Sequence, residues 1–185
     1  ANNYTFQIEA AADAFTADLI KGDVQIAAMP CNAAATLYNK SQGKVSVVGI
    51  NTLGVLYILD NKGEIKSVAD LKGKTIYTTG KGTTPEYTLR YLLSSNGIDP
   101  DKDVTIEFKS EATEVATIMA SAKEETIAML PQPFATTVLM NNQDVKIALD
   151  VTAEWEKTAN DGSSVVTGVI VVNTEYYNNN KEAVN

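Results

Sequence analysis

An α/β fold is what this sequence predicts, on three observations. Apolar runs of strand length, at 44–50, 126–130 and 165–172, alternate with segments whose apolar residues recur at helical spacing, at 85–96 and 111–122. Turn residues punctuate the joins, as at Asn61-Lys62-Gly63, Gly97 and Pro131-Gln132-Pro133. A glycine-rich loop at 79–84 joins a strand to a helix that opens with proline. Such alternation predicts mainly parallel sheets with helices on both faces, where ligands meet the loops leaving the carboxyl ends of strands.

In chain order, Tyr4-Thr5-Phe6-Gln7-Ile8 alternates like a short strand. A helix is expected over 10–21, with Ala11, Ala14, Phe15 and Leu19 on one face and Gly22 as its stop. A strand over 23–29 leads to a turn at Pro30-Cys31-Asn32 and a helix over 33–40 capped by Asn32. The continuous apolar run 44–50 predicts a strand buried on both faces, and another strand spans 54–60. A short helical turn at 68–71 precedes a strand at 74–78 and a helix at 85–96 closed by Gly97. A strand at 104–108 follows, then a helix at 111–122 with Val115, Ile118 and Met119 inward. The order continues with a strand at 126–130, a helix at 134–141, a strand at 145–149 and a short helix holding Trp155, the single tryptophan. The polar stretch 160–164 leads into the strand 165–172 and a helical start at Thr174, and Asn178-Asn179-Asn180 reads as a solvated helix end.

The loop Thr79-Gly80-Lys81-Gly82-Thr83-Thr84 carries the most chemistry. Its glycines permit a tight turn, Pro85 suits a first helical position, and Thr83-x-x-Glu86 fits a capping box. Free N–H groups at that helix start, two hydroxyls and Lys81 suit an anion or a polar ligand; an ordinary capped turn fits the same residues. A phosphate-binding Walker loop is excluded, since Thr75 stands where its first glycine belongs; Pro85 replaces the third glycine of the dinucleotide fingerprint. Lys81 is either an anion partner or a solvated loop lysine. Cys31 at a helix start could be an activated thiol, but no partner base accompanies it and a small side chain in a tight turn explains it as well. The acids Asp99, Asp101, Asp103, Glu124 and Glu125 read as solvated loop charge, without EF-hand spacing.

Composition narrows the function. With 185 residues, 44% hydrophobic and 21% charged, the chain can build one large core or two small ones. A net charge of −8 argues against nucleic acid as a partner. No apolar run reaches membrane-spanning length, and one cysteine rules out an internal disulfide framework. The absence of histidine removes Ser-His-Asp and Cys-His catalysis and the His-Glu zinc motifs, leaving an enzyme only carboxylates, lysine or tyrosine. No metal and no cofactor are expected.

The order of Asp70-Leu71-Lys72-Gly73-Lys74-Thr75-Ile76, Gly80-Lys81-Gly82-Thr83-Thr84-Pro85 and Ile127-Ala128-Met129-Leu130-Pro131-Gln132-Pro133-Phe134 resembles the substrate-binding proteins of ABC importers in the sulfonate, nitrate, taurine and thiamine-precursor group. The resemblance runs through most of the chain, to Gly168-Val169-Ile170-Val171-Val172-Asn173. It implies a type II periplasmic-binding-protein fold, with lobe 1 at 1–63 and 165–185, lobe 2 at 64–164, and hinge closure around a ligand between them. Relatives begin earlier and continue later, so the resemblance implies a first lobe lacking its opening strand, with exposed edges and self-association.

The resemblance further implies a protein that is not an enzyme. It would capture a small polar or anionic organic molecule outside the cytoplasm, as a lipoprotein or in the periplasm, and deliver it to an ABC permease of the membrane. No signal segment precedes Tyr4 in this chain. Its ligand-binding positions would be Pro30, Cys31, Asn32, Gly80, Lys81, Gly82, Thr83, Thr84, Gln132 and Trp155, with Tyr57 and Asp150 as further candidates. Relatives commonly carry an acid where Gln132 stands; an amide both donates and accepts, which favours neutral or anionic ligands over cations. Two other readings share the fold: an enzyme of menaquinone-pathway or pyrimidine-precursor type, and a LysR-type effector domain. The pyrimidine synthases depend on a histidine this chain lacks, and no basic winged-helix segment is present.

Overall fold

The computed structural model describes residues 3–9 and 12–184. Its strands are β1 (Ile26–Pro30), β2 (Val45–Leu53), β3 (Leu56–Asp60), β4 (Thr75–Thr78), β5 (Thr105–Phe108), β6 (Ile127–Pro131), β7 (Lys146–Asp150) and β8 (Val166–Asn173). Its helices are α1 (Thr16–Lys21), α2 (Cys31–Ser41), α3 (Thr84–Ser95), α4 (Ala112–Ala120), α5 (Phe134–Asn141), α6 (Val151–Ala159), α7 (Thr174–Asn179) and α8 (Lys181–Val184). Contacts divide the chain into two units, Ala1–Leu53 with Val166–Asn185, and Gly54–Val165. The first boundary falls ten residues before the expected 63/64, because β3 at 56–60 pairs with β6 and β7 of the second unit.

The first unit is built on a three-stranded sheet ordered β1-β8-β2. Both pairings are antiparallel, which corrects the expectation of a mainly parallel sheet: β8 runs between β1 and β2, opposite to both. Leu19, Ala34, Leu37, Met29, Val45, Val169 and Val171 form its core. The Asn173 amide donates to the Leu19 carbonyl at 3.0 Å and its oxygen accepts the Tyr176 N–H at 2.9 Å, tying α1 and α7 to the end of β8.

Two expectations fail here. Residues 4–8 form no strand, and Phe6 and Ile8 stand 86% and 94% exposed because no neighbouring strand pairs with them. Strand β2 is not buried on both faces. Among the described residues it pairs only with β8, with irregular register, and leaves Val47 and Ile50 52% and 57% exposed. Ala10 and Ala11 of the expected first helix lie outside the described residues; the rest appears as a 3-10 turn at Ala12–Phe15 followed by α1.

The second unit carries a five-stranded mixed sheet ordered β5-β4-β6-β3-β7. Strands β5, β4 and β6 run parallel, and β3 runs opposite to β6 and β7. The period-two alternation of each strand sends side chains to two cores. On one face Ile58, Ile76, Ile127, Met129 and Leu149 meet Leu89, Leu92 and Leu93 of α3 and Val151 of α6. On the other, Leu59, Ala128 and Leu130 meet Val115 and Met119 of α4 and Ala135 and Val138 of α5. Full burial of one leucine such as Leu92 contributes about 2 kcal/mol. Ile118, expected inward, is only half-buried, and Ala116 takes the inner position instead. The buried Asp60 carboxylate fixes the turn after β3, accepting N–H bonds from Lys62, Glu64 and Ile65 at 2.7, 2.6 and 3.0 Å.

Candidate functional site

The sheet directions of the second unit decide which of the expected positions come together. The carboxyl ends of β4, β5, β6 and β7 and the amino end of β3 share one edge, and α3, α4, α5 and α6 all start from it. This edge gathers Gly80 to Thr84 after β4, Gln132 after β6, Asp150 at the end of β7 and Tyr57 near the start of β3. Tyr57 lies in register with Leu130 on one side and Asp150 on the other.

The loop after β4 is held from inside. Gly80 and Gly82 have positive φ of 74° and 78°, a backbone that other residues adopt at a cost. A Cβ on Gly80 would lie 2.6 Å from Thr83 Oγ1 and 3.0 Å from Pro85 Cγ, so glycine is required on space as well. The Thr83 hydroxyl and N–H both bond to the Gly80 carbonyl, at 2.6 and 3.0 Å. The expected capping box between Thr83 and Glu86 does not form. With the Thr83 hydroxyl turned back, Glu86 reaches past it to the Gly82 N–H at 2.7 Å and pairs with Arg90 Nε at 2.8 Å. Arg90 also bonds Asp101 at 2.8 Å, so a chain of charges runs from the loop along α3. The Gly82 N–H, and after it Arg90, hold the Glu86 carboxyl below its ordinary value. Lys81 projects outward, its Nζ 5.9 Å from the Phe108 ring centre.

The other helix starts follow the same logic. Gln132 turns its side-chain oxygen onto α5, accepting from the Thr136 N–H at 3.2 Å and hydroxyl at 2.8 Å, while its own N–H bonds the Val55 carbonyl at 3.0 Å. Asp150 caps α6, its Oδ1 accepting from the Thr152 and Ala153 N–H groups at 2.9 and 3.2 Å. Gly54 lets that helix start approach: a Cβ there would sit 1.7 Å from Thr152 Oγ1, which is buried without a hydrogen-bond partner among the described residues. Trp155 lies further along α6 and packs. Its ring centre is 4.2 Å from that of Tyr91, its indole N–H donates to Ser163 Oγ at 2.9 Å, and it borders the core.

In the first unit, Pro30 is the residue before α2, and Cys31, half-buried against the core, opens the helix. Asn32 does not cap it. It lies within the first turn, where its carbonyl accepts the Thr36 hydroxyl at 3.0 Å, and α2 starts with no side-chain cap and no acid in its first turn. The described residues hold no cluster of metal-ligating side chains, and no helix is long and apolar enough to cross a membrane. Sequence reading passed over the Glu86–Arg90–Asp101 chain and the Gly54–Thr152 contact. The first had a signal in its four-residue spacing; the second joins residues nearly a hundred positions apart, and nothing local marks it.

Residues 1–161 match the model of the family described as "ABC transporter, phosphonate, periplasmic substrate-binding protein". The chain belongs to this family. It is a family of transport binding proteins acting outside the cytoplasm, not of enzymes. Solved structures agree in fold. An ABC transporter protein from Parabacteroides distasonis is 26% identical with a TM-score of 0.72, over 96% of this chain and 59% of that one. The periplasmic aliphatic sulphonate binding protein SsuA of Escherichia coli is 16% identical with a TM-score of 0.69, over 94% and 53%. A sulfonate-binding protein from Methylobacillus flagellatus is 20% identical with a TM-score of 0.66, over 93% and 49%. The binding protein thus has an α/β fold of the type II periplasmic class and spans between about half and three fifths of these relatives' length. No curated protein sequence matches it.

Proposed function

We propose that the protein captures a small polar organic solute in the cleft its family's fold provides and hands it to the membrane permease of an ABC importer. The observation that supports this most is the single sheet edge on which a pre-ordered glycine loop, Gln132, Tyr57 and Asp150 come together. Lys81, Thr84, Gln132, Tyr57 and Asp150 are the second unit's contact groups in this reading. Gly80, Gly82 and Thr83 shape the loop, while Pro30, Cys31 and Asn32 at the start of α2 supply the first unit's share. The family description and the sulfonate-binding relatives make phosphonates and sulfonates the first compounds to test. Anchoring as a lipoprotein and freedom in the periplasm are both compatible with this role.

A thermal-shift screen of the full-length protein tests the reading. A true ligand at a hundred times its dissociation constant stabilises the folded state by about 2.7 kcal/mol. For a domain of 150–250 residues such a gain raises the midpoint by roughly 5–10 °C, and by less in a longer chain. The bound compound recovered unchanged after long incubation supports binding without chemistry. A screen of sulfonates, phosphonates, carboxylates, pyrimidines and amines with no shift overturns the proposal.

A further inference from the structure

Of the eleven glycines, one follows an asparagine, at Asn96-Gly97, and one an aspartate, at Asp161-Gly162. The first pair closes α3 and has no part in the solute-binding reading above. Asparagine before glycine is the pairing in which a backbone nitrogen most readily attacks the preceding side chain, because glycine has no Cβ to hinder the approach and little to restrain its backbone. Both residues are exposed to water, so the geometry of the helix end governs the reaction here.

That geometry blocks the attack while the helix end is closed. Gly97, at a φ of 76°, gives its N–H to the Ser94 carbonyl at 3.1 Å, and Ile98 gives its own to the Leu93 carbonyl at 3.0 Å. These two bonds make a Schellman ending, and the apolar contact that accompanies one is present, since Ile98 and Leu93 are buried in the same core. Asn96 has a ψ of 17°, which turns the Gly97 nitrogen towards the backbone nitrogen of Asn96 and away from its side chain. The side-chain amide is held as well, Nδ2 donating to the Leu92 carbonyl at 2.8 Å. The attacking and the leaving nitrogen are both donors to carbonyls of the last turn, so the reaction requires both bonds to open. Asp161 is protected differently. The Ser163 hydroxyl and N–H hold its carboxyl below the ordinary range, and an ionised carboxylate is a poor target for a nitrogen nucleophile.

We propose that Asn96 is a deamidation site of this protein and that fraying of the α3 end gates it. When the last turn opens, the Gly97 amide nitrogen attacks Asn96 Cγ. The Cγ–Nδ2 bond breaks, and the side-chain nitrogen leaves as ammonia with the proton that Gly97 gives up. Water then adds to either carbonyl of the cyclic imide and opens it to aspartate or to isoaspartate. Neither product restores the helix end. A carboxylate has no N–H for the Leu92 carbonyl, and it brings negative charge to the negative end of the dipole, on a stretch that already carries Asp99, Asp101 and Asp103. Isoaspartate also lengthens the main chain between Leu93 and Ile98 by one atom, which displaces Ile98 from its seat in the core. Fraying permits the change, and the change keeps the end frayed.

The experiment incubates the full-length protein at mildly alkaline pH, folded and in urea, and maps its peptides by mass spectrometry, which reads the loss of ammonia and uptake of water at each asparagine. In urea the Asn96 peptide converts faster than any other asparagine-bearing peptide. In the folded protein the same peptide converts about tenfold or more slowly, because only the opened helix end reacts. Ile98→Val weakens the anchor of the cap by one methylene without emptying its site, and raises the folded rate about two- to tenfold. The deamidated fraction, separated by its extra charge on ion exchange, unfolds a few degrees below the unmodified protein. Faster conversion at another asparagine in urea overturns the site. Equal rates folded and in urea, or no response to Ile98→Val, overturn the gate, and an unchanged midpoint in the deamidated fraction overturns the lasting loss of the cap. Solute binding stands or falls separately from all of these outcomes.

Discussion

Glu86 shows how one side chain can organise a loop that its sequence motif describes only in part. The Thr-x-x-Glu spacing is a helix-start signature, yet the carboxylate closes on the Gly82 N–H, one residue beyond the box, and on Arg90. Almost buried, it leaves two donors without an acceptor if it is truncated. Glu86→Ala is expected to cost about 2 kcal/mol in urea unfolding at neutral pH, and Glu86→Gln less, because an amide oxygen still accepts one of the two bonds. The pH dependence has a defined sign. The folded-state value lies below the ordinary 4.5, so the stabilisation is complete above that value and is lost as pH falls through the lowered one. The gap in stability between wild type and Glu86→Ala should hold steady from neutral pH down to about 5 and narrow below about 4. A gap that stays constant through that range would show that Glu86 acts by packing alone.

At the scale of elements, the same sequence signal led to two outcomes. The runs at 44–50 and 126–130 both read as strands, and the first was expected to be buried on both faces. The second became β6, at the centre of its sheet with every residue from Ile127 to Leu130 buried; the first became β2, at an edge with Val45 buried and Val47, Val48, Ile50 and Leu53 exposed. Composition reports how apolar a strand is, and only its neighbours decide whether that surface is covered. The joins after β4 and β6 were legible for a different reason: glycine, proline and helix period are local signals; at 30–32 the expected turn is absent, since β1 runs to Pro30 and α2 starts at Cys31. The antiparallel insertion of β3 and β8 was not legible, because strand direction depends on partners far along the chain. The approach of Gly54 to α6 belongs to this non-local class and can be tested as a pair. Gly54→Ala puts a methyl group 1.7 Å from Thr152 Oγ1 and should destabilise by about 1–3 kcal/mol. Thr152→Ala alone removes a buried hydroxyl without a partner and should be close to neutral. Combined, the two changes should recover most of the loss, a coupling that a double-mutant cycle by denaturant unfolding measures directly. Additive effects would mean that the crowding is relieved elsewhere.

For the molecule as a whole, surface decides behaviour in solution more than charge does. A net charge of −8 keeps copies apart at long range, but at physiological salt that repulsion fades within about 8 Å. Within that distance β2 presents Val47, Val48, Ile50 and Leu53, each more than a third exposed, along a strand with one free side. An edge of this kind offers unpaired N–H and C=O groups together with apolar side chains, the combination that natural edges avoid with lysine, proline or cover. The four-residue stretch Val45-Ser46-Val47-Val48 carries no charge to oppose pairing. The 185-residue chain alone is therefore expected to associate with itself as concentration rises, strand β2 against its counterpart in a second copy, with static light scattering reporting a mass above the monomer's 19.8 kDa. Val47→Lys with Ile50→Lys should return the monomer mass at the same concentration without lowering the unfolding midpoint, since neither side chain is buried. A monomer at high concentration in the unsubstituted chain would show that the irregular register of β2 against β8 already twists the edge enough to refuse a partner.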